Sequence, residues 1–337
     1  MKAVVCEQPH QLAWEDRPSP ERGSGEVLVR MRRVGLCGTD YHIFAGNQPF
    51  LSYPRVMGHE LAGDVAEADA GSPLRPGDLM TVNPYLPCGD CIACRKGKPN
   101  CCVSVRVLGV HIDGGMCEYL AVPEAAVIAT PTLTADQAAM VEFLSVGAHA
   151  VRRGEAGAGD RALVVGAGPI GVAVALLARL AGAEVTLADT SRQRLDHARD
   201  AVGIADVVLV DGSIDAVLSA RTDGEFYDLV FDATGSARAM EKGFSFVAHG
   251  GSYVLVSVVK QDITFSDPEF HKREMKLIGS RNATERDFRA VVAAIERGDI
   301  PTDAIKTHAF PLAEAPTRFP ALIADQGAVL KAIATLD

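Results

Sequence analysis

Cys88, Cys91, Cys94 and Cys102 bring four thiols into one short polar run, CGDCIACRKGKPNCC, with the spacing C-x2-C-x2-C-x7-C. Thiolates so spaced converge on a tetrahedral ion, and Zn²⁺ is the usual occupant of an all-sulfur site. Four protein ligands close the coordination sphere, which predicts a structural site over about 85–105. A disulfide-bonded or core cluster fits less well, because the surrounding Gly- and Lys-rich sequence is poor core material. Cys101 stands beside Cys102, and spacing alone leaves either as the fourth ligand. A second set is sparser: Cys37 in CGTDYH, and His59 with Glu60 in GHE. A thiolate, an imidazole and a carboxylate would hold another Zn²⁺ with one position left for water or substrate, as in a catalytic site. Two zinc ions per chain are therefore expected.

A third constellation binds phosphate. Gly166, Ala167, Gly168, Pro169, Ile170 and Gly171 match G-x-G-x-x-G between a predicted apolar strand at 162–165 and a helix. The first glycine permits the turn, the second lets backbone approach a pyrophosphate, and the third allows helix to pack on strand. Free N–H groups at the helix start then hold the phosphates, and Pro169 there forfeits no helical hydrogen bond. Asp189, at the end of the next predicted strand, would accept a bond from a ribose 2′-hydroxyl and repel a 2′-phosphate, which favours NAD over NADP.

The elements that must position these groups follow from length and pattern. A chain of 337 residues predicts two domains. Short strands punctuated by Gly and Pro, at 27–34, 63–66 and 79–82, predict a β-rich first domain. Thr134 and Gln137 read as a capping box opening a helix through 152. Strands at 162–165, 185–188, 229–232, 253–257 and 276–279, with helices between, predict a doubly wound parallel sheet. A helix at 285–297 and extended stretches at 307–310 and 328–334 should return to the first domain. The expected organisation is thus 1–145, 146–282, and a tail at 283–337. A net charge of −10 and a pI near 5.4 argue against nucleic acid and anionic membranes. The start, MKAVVCEQPH, reads as no signal peptide, and no apolar run is long enough to span a bilayer. The expectation is a soluble, cytoplasmic protein, in which eight cysteines suggest metal binding rather than disulfides.

With CGTD at 37–40, GHE at 58–60, the four-cysteine lobe and GAGPIG at 166–171, the chain resembles the zinc-dependent medium-chain dehydrogenase/reductase family over essentially its whole length. The resemblance implies an α/β protein, with a GroES-like catalytic domain, a Rossmann coenzyme domain and a cleft between them. It implies Cys37 and His59 as ligands of the catalytic zinc. Glu142 matches the position where polyol and threonine dehydrogenases place Glu, while Glu60 binds the metal directly in some members, so the third ligand stays open between them. Asp40 matches the acid that orients the ligand imidazole. The implied chemistry is loss of a proton from a zinc-held hydroxyl, then hydride transfer to nicotinamide. Thr39 and His42 would carry the proton outward.

Glu at position 142 leans toward the sorbitol, sugar-acid and threonine branch. Arg281 stands where sorbitol dehydrogenases carry an arginine that meets substrate, and it can pair bidentately with a carboxylate. The expected substrate is an aldonate, such as L-galactonate or L-gulonate, oxidised at a secondary hydroxyl to a keto acid. A polyol or L-threonine is the alternative. Intact Cys37, His59 and Glu142 argue against a non-catalytic coenzyme-binding protein. The family further implies a homodimer or homotetramer.

Overall fold

The computed structural model describes residues 1–48, 51–325 and 327–336. The chain divides into two compact units, Met1–Ser145 with Ala283–Asp337, and Val146–Asn282.

The first unit is built around the strand Glu26–Gly35, EVLVRMRRVG. Val27, Val29 and Met31 alternate into the core, as a half-buried strand requires. The consecutive Arg32 and Arg33 then break the period. The pairing with Glu60–Glu67 slips between Met31 and Arg33, a bulge that turns Val34 and Gly35 inward. This slip brings Gly35 opposite Glu60. On its other side the same strand pairs antiparallel with Tyr119–Pro123 and with Lys331–Thr335, which sets Gly35 against Ile333. Leu79–Val82 and Val127–Ala129 extend the sheet beyond Glu60–Glu67, and Lys306–Pro311 extends it beyond Lys331–Thr335. A separate three-stranded sheet joins Gln11–Asp16, Lys2–Gln8 and Arg55–Val56. Met31, Leu61, Met80 and Phe319 are among the core residues between these layers. The capping box at the long helix Ala135–Gly154 is formed: Thr134 N–H donates to Gln137 Oε1 at 2.9 Å, and Gln137 N–H to Thr134 Oγ1 at 3.2 Å.

The second unit is a six-stranded parallel sheet. Its spatial order is Asp206–Leu209, Glu184–Asp189, Arg161–Val165, Tyr227–Asp232, Val247–Leu255 and Lys276–Gly279. In sequence terms this is 3-2-1-4-5-6, the doubly wound order. The strand order reverses between Arg161–Val165 and Tyr227–Asp232, and ligands bind outside the carboxyl ends of strands at such a switch. The edge strand Asp206–Leu209 is an addition to the sequence expectation; four residues, of which only Val208 is buried, give little periodic signal. The strand expected at 253–257 begins earlier, at Val247.

Gly166 has φ of 104°, a left-handed conformation that suits glycine, and turns the chain from strand into the helix Pro169–Leu180. A Cβ at Gly171 would overlap the Gly166 carbonyl oxygen. Gly171→Ala is expected to lower stability by about 1–3 kcal/mol through overpacking. Denaturant unfolding checks this, and an unchanged midpoint would contradict the packing argument.

Candidate active site and coenzyme loop

Cys37 caps the helix Gly38–Phe44, and Asp40 in its first turn is fully buried. The Asp40 carboxylate accepts the Cys37 N–H at 2.9 Å and the Gly58 N–H at 3.2 Å. Its Oδ1 lies 3.9 Å from His59 Nδ1. One acid thus ties together the two segments that carry Cys37 and His59. Ligand atoms of Cys37, His59 and Glu60 all lie within 4.8 Å of one another. His59 is buried and its Nδ1 has no hydrogen-bond partner among the described residues. Burial opposes its charging, yet the Asp40 carboxylate and the Cys37 sulfur hold it well above the ordinary imidazole range. An electron-rich, buried set of sulfur, nitrogen and oxygen suits a divalent cation of zinc's softness.

Two carboxylates border this cluster and are held differently. Glu60 accepts from Lys331 Nζ at both oxygens, 2.6 and 2.7 Å, with both side chains almost fully buried. Glu142, on the helix Ala135–Gly154, accepts from the buried Tyr85 hydroxyl and lies outside the 4.8 Å set. Burial pushes the Glu142 carboxyl up to about 7, against the pull of His59. Burial and the Glu142 charge also raise Tyr85, which keeps it a donor. Thr39 is half-buried on the short helix and His42 is exposed there. Arg281 is exposed just beyond the strand Lys276–Gly279, in the second unit.

Lys331 and Tyr85 are the functional neighbours that sequence reasoning misses. Neither is a metal ligand, so ligand spacing cannot reveal them. For Lys331 the available signal is a lysine at the start of the otherwise apolar strand KAIAT.

In the cysteine lobe, Cys88 Sγ lies 3.5 Å from Cys102 Sγ and 4.0 Å from Cys94 Sγ, with Cys91 to Cys94 at 3.5 Å. These separations exceed the about 2.05 Å of a disulfide and suit four thiols facing one ion. Backbone N–H groups pull the Cys91 thiol down to about 6 and lower Cys102, whereas burial pushes Cys94 up to about 12 and the side-chain bond to Asp90 raises Cys88. Of the two adjacent cysteines, Cys102 joins the cluster and Cys101 is exposed beside it.

In the glycine-rich loop, a Cβ at Gly168 would meet nothing within 4 Å, leaving the helix start open to a ligand. Asp189 Oδ2 accepts the Ala167 N–H at 2.6 Å and its Oδ1 accepts the Ser191 N–H at 2.7 Å, so this acid also braces the loop. Beside it a cavity of about 880 Å³ is lined by apolar Val165, Val210 and Ile214, with Arg238, Glu241 and Lys242 as its charged residues. The apolar walls and open N-terminus fit a dinucleotide.

Comparison with known proteins agrees with this geometry. Residues 23–132 match the alcohol dehydrogenase GroES-like domain, and residues 169–297 match the zinc-binding dehydrogenase domain. The chain is 42% identical over 317 residues to L-galactonate-5-dehydrogenase of Escherichia coli K12, covering 93% of this chain and 92% of that protein. It is 33% identical over 322 residues to D-altritol 5-dehydrogenase of Agrobacterium fabrum, covering 93% and 94%. An alcohol dehydrogenase from E. coli CFT073, solved with NADH, superposes with a TM-score of 0.93 at 28% identity, covering 100% of this chain and 99% of that one. Among the described residues no helix is long and apolar enough to cross a membrane.

The lobe yields a selective expectation. Cys102→Ser should cost the protein about one zinc per chain, whereas Cys101→Ser should retain it. Elemental analysis after dialysis distinguishes the two, and equal zinc contents would contradict the assignment of Cys102.

Proposed function

The chain belongs to the zinc-type alcohol dehydrogenase family and is an oxidoreductase, and on that premise we propose that it oxidises a secondary hydroxyl of an aldonate, such as L-galactonate or L-gulonate, to a keto acid with NAD. The observation that carries this reading is the 4.8 Å cluster of Cys37, His59 and Glu60 in a chain 42% identical to an L-galactonate dehydrogenase. Zn²⁺ held by Cys37, His59 and a carboxylate would supply Lewis acidity toward the hydroxyl, and NAD held by the second unit would accept the hydride.

The chain's own residues do the rest. Asp40 orients His59 and fixes its segment to that of Cys37. Thr39 takes the proton from the substrate hydroxyl and His42, which is exposed, hands it to water. Glu142 adds negative charge beside the cluster and is held in place by Tyr85. Gly166, Gly168, Pro169, Ile170 and Gly171 offer backbone to the pyrophosphate. Asp189 accepts from the ribose and disfavours a 2′-phosphate. Arg281 pairs with the substrate carboxylate. Cys88, Cys91, Cys94 and Cys102 hold the structural zinc. The reading includes a domain assignment of 1–145, 146–282 and a tail at 283–337, homodimeric or homotetrameric assembly, and action in the cytoplasm. A neutral polyol is the second reading, favoured by the likeness to a D-altritol dehydrogenase; L-threonine is the third.

A screen of NAD reduction across aldonates, polyols, L-threonine and simple alcohols tests the substrate class; preference for polyols would replace the first reading with the second. Arg281→Ala should reduce kcat/KM for the acid about 10- to 100-fold, the worth of a lost charged hydrogen bond, and spare neutral polyols. Equal losses would reject the carboxylate contact. Cys37→Ser and His59→Ala should abolish turnover while NAD still binds, read by fluorescence titration. Asp189→Ala should weaken NAD binding and narrow its advantage over NADP; an unchanged coenzyme ratio would remove Asp189 from that role.

A further inference from the structure

We infer that Asp232 is a positioning residue: through Thr234 and Ser257 it fixes the two loops that receive the nicotinamide riboside half of the coenzyme. The inference rests on the reading of the second unit as the holder of NAD. Asp232 ends the strand Tyr227–Asp232 and is fully buried. It stands level with Val165 on one side and Leu255 on the other, so it lies at the switch in strand order. Its side-chain bonds gather on Oδ1, which accepts the Thr234 N–H at 3.0 Å, the Thr234 hydroxyl at 2.8 Å and the Ser257 hydroxyl at 3.3 Å. Both hydroxyls accept in turn: Thr234 Oγ1 from the Ser236 N–H at 3.1 Å, and Ser257 Oγ from the Gly235 N–H at 2.9 Å. One carboxylate oxygen thus ties the loop at 233–236 to the loop at 256–258. The other, Oδ2, is buried with no hydrogen-bond partner among the described residues. An unpaired buried acceptor costs stability, so the acid contributes position here and not folding strength.

The place of these loops says what they receive. A dinucleotide lies across the switch, with its pyrophosphate on the glycine loop and one mononucleotide half to each side. Asp189 and the cavity lined by Val165, Val210 and Ile214 mark one side as that of the adenosine half. The second half then falls over the carboxyl ends of Tyr227–Asp232 and Val247–Leu255, where the two loops leave the sheet. The backbone around Asp232 also meets the glycine loop. The Ala233 N–H donates to the Val165 carbonyl at 2.8 Å, and a Cβ at Gly166 would crowd the Ala233 carbonyl oxygen at 2.9 Å. The Asp232 carbonyl itself accepts the Val256 N–H at 2.9 Å and the Ser257 N–H at 3.2 Å. Without the Asp232 carboxylate the two hydroxyls would be free to turn away. Both loops would then have to be ordered when the second half of the coenzyme binds, which lowers its affinity.

The test compares NAD with ADP, which lacks only the nicotinamide riboside, by calorimetric titration of the full chain. Thr234→Val and Ser257→Ala each remove one hydroxyl bond to Asp232. Each should weaken NAD about 3- to 10-fold more than ADP, the range of one lost hydrogen bond. Thr234→Ser keeps the hydroxyl and should match the wild type. Asp232→Asn keeps an acceptor oxygen for both hydroxyls and should hold the NAD-to-ADP affinity ratio within about threefold of wild type, whereas Asp232→Ala should shift it by about tenfold or more. Should Asp232→Ala fail to fold, the Thr234 and Ser257 variants carry the test. A merely structural network predicts lower thermal stability with the ratio unchanged. An unchanged ratio in either T234V or S257A, a T234S protein as impaired as T234V, or a D232N ratio shifted by tenfold would each overturn the inference. A wild-type protein that binds neither NAD nor ADP would overturn the coenzyme reading along with it.

Discussion

The first unit depends on keeping charge buried where three strands meet. Glu60 begins one strand, Gly35 ends its neighbour, and Lys331 begins the next. An isolated buried carboxylate carries a desolvation penalty of several kcal/mol or more, and the same holds for an ammonium. The two are tolerated because each satisfies the other and because Leu36 and Phe143 complete the surroundings of the ammonium. Such pairs add little net stability. Their presence at the floor of a ligand cluster points to function rather than to folding strength.

Asp40 solves a related problem by a different route. Its carboxylate is also fully buried, yet it is satisfied by two backbone N–H groups rather than by a cation. Burial pushes the Asp40 carboxyl up, and the charge of His59 with the two N–H groups pulls against that rise. The same device recurs in the second unit, where Asp189 accepts two backbone N–H bonds at the carboxyl end of its strand. In both places a short acidic side chain braces a loop through two backbone N–H groups.

Much of this was legible in the sequence, for identifiable reasons. Ligand spacing in the cysteine lobe is local, so C-x2-C-x2-C-x7-C predicts its cluster without knowledge of the fold. The parallel strands and glycine loop are likewise local patterns with strong periodicity. The bulge at Arg32 and Arg33 left only a broken alternation, and the edge strand Asp206–Leu209 was too short to register. The partners of Glu60 and Glu142 lay beyond reach because they are distant in sequence. Lys331 is 271 residues from Glu60, and Tyr85 is 57 from Glu142. The ambiguity between Cys101 and Cys102 was geometric, since adjacent residues point to different sides and only the fold says which side faces the other thiols.

The strand Lys331–Thr335 lies between Glu26–Gly35 and Lys306–Pro311. During synthesis, then, the slot beside Gly35 must wait for nearly the whole of this sequence to leave the ribosome. Until that moment the nascent first unit has an open sheet edge and an acidic residue with no counter-charge. The pairing of Gly35 with Ile333 and of Glu60 with Lys331 thus draws on opposite ends of the sequence, whereas Cys88, Cys91, Cys94 and Cys102 share one short stretch.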